Sequence, residues 1–282
     1  MSRVNVFAFA DEASPFLDGQ ITAMVRNGLQ GLEIRGVDET NVSEITPDKA
    51  KEVREKLDAR GLRVWSVGSP IGKIKITDSF APHLEVFRHT LEIAHILGAV
   101  NMRIFSFYIP SGEDPASYRD EVMERMGTLL EISRDSGILL CHENEKGIYG
   151  DVPQRCLDLH RTYPGLGGVF DPANFVQCGI DTAEAWDLLK DHVKYLHIKD
   201  ALADGTIVPC GKGAGQIPEI LKEYMAMGGS AVTLEPHLKV FHGLDALEES
   251  GDVSIIRDNE YPDSDTAFDV ACNAFNKILA EV

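Results

Sequence analysis

Residues 167–199 read GGVFDPANFVQCGIDTAEAWDLLKDHVKYLHIK, and they carry the plan of the whole chain. A short apolar run, 167–173, ends in polar residues. A helical pattern follows at 182–190, where the side-chain oxygens of Asp181 and Thr182 suit the free N–H groups of a first helical turn around Trp186. A second apolar run, 193–199, comes next. Both runs are mostly apolar with β-branched or aromatic residues, as strands buried on both faces are. A buried strand, a helix and another buried strand form the repeating unit of a parallel sheet.

The same rhythm extends in both directions. Strands are predicted at 4–10, 31–36, 63–69, 101–107, 138–144, 167–173, 193–199 and 231–237. Helices are predicted at 15–27, 47–60, 81–97, 117–135, 152–162, 182–190, 216–227 and 264–281. Segment 81–97 places Leu84, Phe87, Leu91, Ile93, Ala94 and Leu97 largely on one stripe, and 117–135 does so with Val122, Met126, Leu129, Leu130 and Ile132. Pro47 and Pro153 fall where a first helical turn tolerates proline. The nucleotide fingerprint GxGxxG of an open doubly wound sheet is absent after the first strand, where FADEASP stands instead. Eight strands alternating with eight helices therefore predict one (β/α)8 TIM barrel spanning 1–282. Segment 238–263 reads as a loop insertion after strand eight, on the active-site face, and 264–281 as the closing helix.

The chain has 282 residues, 44% hydrophobic and 26% charged, which suits one barrel of ordinary globular composition. A net charge of −18, from 45 acidic and 27 basic residues, argues against nucleic acid as the main partner, because phosphate binding needs clustered Lys and Arg. The five cysteines are odd in number and form no CxxC pair, against a disulfide framework or a zinc knuckle. The first residues, MSRVNVFAFADEAS, lack a signal-peptide pattern, and no apolar stretch is long enough to span a bilayer. A cytoplasmic protein without a membrane partner is the default expectation.

In a barrel of this kind the active site forms at the C-terminal ends of the strands. Those ends carry Glu12, Glu33 and Arg35, Ser69, Arg103, His142 to Asn144, Asp171 and Asn174, His197 and Lys199, then Glu235 and His237. Buried strands do not end in such groups unless the groups are paired or bind something. Strand side chains alternate between faces, so Val169 pairs in direction with Asp171, Tyr195 with His197, and Thr233 with Glu235. Their neighbours Phe170, Leu196, Ile198, Val232 and Leu234 are apolar and suit the helix-facing side. Glu143, Asp171, His197 and Glu235 are thereby predicted to converge inside the barrel mouth. Taken singly, each reads as a cap, an ion-pair partner or a hydrogen-bonded core residue. Together, three carboxylates and one imidazole make a mostly oxygen donor set suited to Mn²⁺, Mg²⁺ or Co²⁺, and to Zn²⁺ as a further option.

These residues resemble the xylose-isomerase-like barrel superfamily of sugar and sugar phosphate isomerases and epimerases, which includes D-tagatose 3-epimerase relatives. The resemblance runs over about residues 4–237 and is carried by the Glu-Asn pair in CHENEKGIYGD, the Asp in GVFDPANF, the His in YLHIKD, the loop VPCGKGAGQIP and the Glu in TLEPH. It implies one divalent metal held by Glu143, Asp171, His197 and Glu235, with Glu143 and Glu235 also moving protons. The implied reaction is isomerisation or epimerisation of a small sugar, sugar phosphate or keto-polyol through an enediolate.

Three positions depart from the family pattern. Asn174 stands where some members have a second His, Asp200 is the nearest counterpart of a sugar-binding Glu or Arg, and Lys212 replaces an acidic residue in the Gly-rich loop. The expected substrate contacts are Glu33, Arg35, Arg103, Asn144, Asn174, Lys199 and Lys212. Arg35 and Arg103 also suit ion pairs with Glu12 or Glu33, and Lys212 suits either a phosphate or plain solvent. Trp65, Phe105, Phe107 and Tyr108 suit either a sugar-facing wall or the core. A metal-dependent dehydratase of inosose type, or a C-glycoside-cleaving enzyme, would share the proton removal. A non-catalytic sugar-binding barrel is a further alternative, and an endonuclease IV-like nuclease fits poorly because this chain has nine His. A homo-oligomer is open.

Overall fold

The computed structural model describes residues 4–244 and 254–282. Eight parallel strands close into a barrel: β1 (Asn5–Ala8), β2 (Gly31–Ile34), β3 (Arg63–Gly68), β4 (Asn101–Ile104), β5 (Leu139–Glu143), β6 (Gly167–Phe170), β7 (Val193–Ile198) and β8 (Ala231–Leu234). They follow one another around the barrel in chain order, and β8 pairs with β1 through Phe7 opposite Thr233. The helices outside are α1 (Leu17–Arg26), α2 (Pro47–Asp58), α3 (Phe80–Leu97), α4 (Arg119–Ser133), α5 (Pro153–Thr162), α6 (Pro172–Gln177), α7 (Thr182–Leu189), α8 (Ile217–Ala226) and α9 (Ser264–Glu281). This is the (β/α)8 barrel that the strand–helix rhythm predicts. Among the described residues, no helix is long and apolar enough to cross a membrane, and all five cysteines are free.

Local chemistry explains the element ends. Thr46 accepts from the Lys49 amide at 3.2 Å and precedes Pro47, so α2 starts with a cap and a preset φ. Asp181 accepts from the amides of Ala183 and Glu184 and opens α7 as expected. Helix α6 was not foreseen. The end of the predicted 167–173 strand starts it, with Asp171 Oδ1 accepting from the Asn174 amide at 2.9 Å.

Most strands stop earlier than predicted. The 101–107 run leaves the barrel after Ile104: the Phe105 amide donates to Ile71 O at 2.8 Å, and Phe107 takes a left-handed φ of +66°. In the described parts of the 238–263 insertion, Ile255 forms an isolated parallel bridge with Thr206. Residues 245–253 of that prediction lie outside the described residues.

Alternation along the strands splits the apolar groups into two layers. Phe7, Cys141, Val169, Tyr195 and Ala231 fill the barrel interior with Trp65 and Leu139 packed against them. Val6, Leu32, Met102, Leu140, Phe170, Leu196, Val232 and Leu234 belong to the larger core shared with the helices. Each such large side chain contributes roughly 1.5–3 kcal/mol on burial. Trp65 lies in the interior plug, stacked on Phe7 at 5.2 Å and edge-on to Tyr195, so of its two readings the core one holds. The plug occupies the lower barrel and leaves the strands' carboxyl ends to polar side chains.

Candidate metal centre

The parity that buries Val169 and Tyr195 in the plug carries Asp171 and His197 one step further up the same inner face. β7 and β8 place His197 beside Thr233 in register. Glu143, Asp171, His197 and Glu235 thus meet at the mouth, each offering a donor atom within 4.8 Å of the others. All four are buried, at 4% exposure or less.

His197 is the hub. Its Nε2 lies 3.0 Å from Glu33 Oε2, while Nδ1 faces Glu143 Oε1 at 2.9 Å and Glu235 Oε2 at 3.1 Å. Glu33 is fixed by the Tyr195 hydroxyl at 2.7 Å and by Ser66 Oγ at 3.2 Å. With Nε2–H committed to that carboxylate, Nδ1 is the nitrogen left to serve a cation. Phe9 meets His197 edge-on at 5.2 Å. Gly68 makes room for it: a Cβ there would stand 2.4 Å from Phe9 Cε1.

A cross-strand clamp aligns the carboxylates. The Asn144 side chain accepts from the Asp171 amide and donates to Asp171 O, both at 2.9 Å. Asn174 Nδ2 donates to Asn144 O at 2.9 Å and reaches Glu143 Oε1 at 3.5 Å. Cations surround the set. Arg103 lies 3.2 Å from Glu143 Oε2, and Lys199 lies 2.9 Å from Asp171 Oδ2 and 3.4 Å from Glu235 Oε2.

Burial pushes the Asp171 carboxyl up to about 7; Glu235 and Glu143 add to this, against Lys199. Burial would also raise Glu235, but Lys199, His197 and His237 hold it well below the ordinary carboxylate value. Glu143 Oε2 and Asp171 Oδ2 are buried and accept no hydrogen bond, although cations stand near both. Two buried carboxylate oxygens that accept no hydrogen bond and face only cations, two further carboxylate and imidazole donors, and spacing that one ion can bridge suit a divalent cation.

A neighbouring trio, Glu12, Glu235 and His237, also brings donors within 4.8 Å of one another. Arg35 already occupies that side, with Nη2 3.2 Å from Glu12 and Nη1 3.3 Å from Glu235. Its Nε lies 2.9 Å from Asp11, and its guanidinium sits 4.5 Å from the rings of both Phe9 and Phe241. A cavity of about 230 Å³ opens beside this group, lined in part by Asp11, Arg35, Thr40, Asn41 and Phe241. Phe241 brings the described part of the 238–263 insertion to the active-site face.

The structure places the predicted substrate contacts in different surroundings. Glu33 is fully buried, with Oε2 3.0 Å from His197 Nε2. Asn144 spends its amide on the Asp171 backbone. Lys212 is exposed on the Gly-rich loop. The amides of Gly211, Gly213 and Gly215 in that loop donate to the Asp200 carboxylate at 2.8–2.9 Å, so the nest that suits a phosphate already holds an internal anion. A Cβ at Gly213 would lie 2.2 Å from Asp200 Oδ1.

Arg103, Asn174 and Lys199 do line a cleft at the rim, whereas Arg35 lines the other cavity. His237, read above as a strand-end residue, joins the cleft, as do Lys73, Glu145 and Lys146, which were not predicted. Of these, Glu145 and Lys146 directly follow the Glu-Asn pair, and His237 closes the strand-eight motif. Lys73 arrives from the loop after β3, for which the sequence offers no signal.

Fold and cluster together define a (β/α)8 barrel with a candidate metal centre at its rim. The chain belongs to the xylose isomerase-like TIM barrel family, whose model matches residues 21–253. No curated protein matches it by sequence. Among solved structures it resembles a D-psicose 3-epimerase from Clostridium cellulolyticum, with TM-score 0.75, 12% identity and 98% of each chain covered. It also resembles the probable 3-DHS dehydratase AsbF from Bacillus anthracis, with TM-score 0.74, 15% identity and coverage of 98% of this chain and 99% of the other. The IOLI protein, solved with a binding zinc atom, aligns with TM-score 0.72 and 16% identity over 99% of this chain and 98% of that one. At these identities the likeness is one of fold.

Proposed function

We propose that this chain is a divalent-metal-dependent isomerase or epimerase of a small polyhydroxy carbonyl compound, with Glu143, Asp171, His197 and Glu235 as the ligands. The observation that carries this reading is the convergence of four buried donors, two of them with an oxygen that accepts no hydrogen bond, at the rim of a family barrel. A bound divalent ion supplies Lewis acidity there, lowering the energy of an enediolate.

The chain's own groups handle the protons. Glu235, kept ionised by Lys199 and the histidines, takes the proton from the carbon beside the carbonyl. Glu143 faces the same His197 nitrogen, Nδ1, as Glu235 and serves as the second proton carrier. Asn144 and Asn174 keep the β5 and β6 ends in place, and Glu33 keeps His197 in the required tautomer. The D-psicose 3-epimerase and the probable 3-DHS dehydratase among the structural neighbours accord with this chemistry class.

The test is exchange of substrate α-protons in D₂O by Mn²⁺-loaded protein over a panel of keto-sugars and inosose-like polyols. Glu143→Gln and Glu235→Gln are expected to slow exchange by roughly 100-fold or more. Exchange in both variants at the wild-type rate would refute the reading. Elimination begins with the same proton removal, and the absorbance of an enone in the same reactions separates it from epimerisation.

A further inference from the structure

His237 stands just past the end of β8 in a costly backbone conformation, with a left-handed φ of +46° that residues bearing a Cβ seldom adopt. The surroundings hold it there. Its amide donates to Glu12 Oε2 at 2.6 Å, and its ring packs against Phe241 at 5.2 Å. Phe241 in turn covers the Arg35 guanidinium. His237 is 5% exposed and lines the rim cleft with Arg103, Asn174, Lys199 and Glu235.

The ring is fixed in direction, yet its nitrogen Nδ1 is buried without a hydrogen-bond partner. Nδ1 lies 3.7 Å from Glu12 Oε1 and 3.7 Å from Glu235 Oε1, beyond hydrogen-bond distance. Two carboxylates at that range still favour a proton on Nδ1 by charge. That tautomer makes Nε2 the acceptor of the ring.

Glu235 divides its oxygens between two sides. Oε2 turns to His197 at 3.1 Å and to Lys199 at 3.4 Å. Oε1 turns to Arg35 at 3.3 Å and to His237. The ring of His237 therefore borders the carboxylate that takes the proton in the reading above.

Resting on that reading, we propose that His237 is a further substrate-binding residue, whose Nε2 accepts a hydrogen bond from a hydroxyl beside the carbon that gives its proton to Glu235. The strained turn and the Phe241 contact set the acceptor in place before the ligand arrives. A site built around such a contact discriminates against compounds that lack the hydroxyl, because the ring nitrogen is then left unpaired.

Calorimetric titration at neutral pH of protein equilibrated with Mn²⁺ tests this, with D-fructose, D-tagatose and scyllo-inosose as probes. The variants are His237→Asn and His237→Gln, shown to be folded by circular dichroism. They set the contact against the backbone. Asparagine adopts a left-handed φ readily, but its amide reaches only the place of Nδ1. Glutamine suits that φ less well, but its amide oxygen reaches the place of Nε2. At least one probe is expected to bind wild type at millimolar concentration. His237→Asn should weaken that probe about fivefold or more, and His237→Gln should stay within about twofold of wild type. A purely structural role for His237 gives the opposite order, with asparagine the better replacement.

No binding of any probe to wild type, wild-type affinity in His237→Asn, or a loss in His237→Gln as large as in His237→Asn would overturn the proposal. Metal content and α-proton exchange on the same samples read the metal-dependent function separately. Protein that takes up no ion but shows the contrast between the two variants would sink that function and leave the His237 contact standing. Protein that loads Mn²⁺ and exchanges protons, with binding indifferent to His237, would do the reverse.

Discussion

The Nε2 atom of His197 sits 3.0 Å from Oε2 of Glu33, deep in the barrel, with neither side chain exposed. This contact directs the other ring nitrogen at Glu143 and Glu235. It extends the candidate metal centre one layer below its donors.

Glu33→Gln is therefore expected to weaken Mn²⁺ binding by about 10–100-fold. The glutamine keeps the shape and can still bond to Tyr195, but it is a poorer acceptor for the imidazole N–H. Competition against a chromophoric chelator measures the effect. An unchanged affinity would mean that Glu33 is only packing.

The Gly-rich loop yields a second contrast. Asp200 accepts from the amides of Ala201, Gly211, Gly213 and Gly215, so Asp200→Ala strands several donors at once. Denaturant unfolding should show a loss of about 2–4 kcal/mol. Lys212→Ala, at an exposed position, should change neither stability nor phosphate binding by a measurable amount. Loss of phosphate binding in Lys212→Ala would restore the loop as a ligand site.

Acid should destabilise the fold through histidines away from the centre. Burial, with His192 nearby, lowers His160 from its ordinary value near 6.5 to about 4; the hydrogen bond to Leu166 O opposes this, and His142 also faces the ring. Burial, with Arg125, does the same for His83, whose Nε2 accepts from the Gly72 amide and so must be unprotonated. Below the ordinary value the unfolded chain binds protons that these folded rings refuse. Their stabilisation is present above about pH 6.5 and is lost as pH falls toward 4. His160 alone accounts for about 3 kcal/mol over that window. Denaturant unfolding between pH 7 and 4.5 should show the decline, and His160→Gln should flatten it. A wild-type profile with no slope would contradict this assignment.

The barrel was legible because buried parallel strands and amphipathic helices leave different periodicities. The four donors were legible because alternation carries them up from Cys141, Val169, Tyr195 and Thr233 on one inner face. What lay hidden depends on distance rather than period. Glu33 shares the inner face with the donors, so parity cannot reveal that it lies under His197 instead of beside a substrate. Asn144 looks free in sequence because its partners are backbone atoms of another strand. Asp200 and the loop that wraps it are 11–15 residues apart, and only folding shows that the nest is filled from within. Lys73 and Lys146 come from different loops, and their meeting at Glu145 has no sequence pattern.

The central claim is that Glu143, Asp171, His197 and Glu235 share one divalent ion. Its most direct test is elemental analysis of protein purified without chelator and then equilibrated with Mn²⁺ at neutral pH, in wild type and in a folded Asp171→Asn variant. The account predicts about one ion per wild-type chain and little in the variant. A wild-type chain that takes up no ion, or a variant that retains a full equivalent, would contradict it.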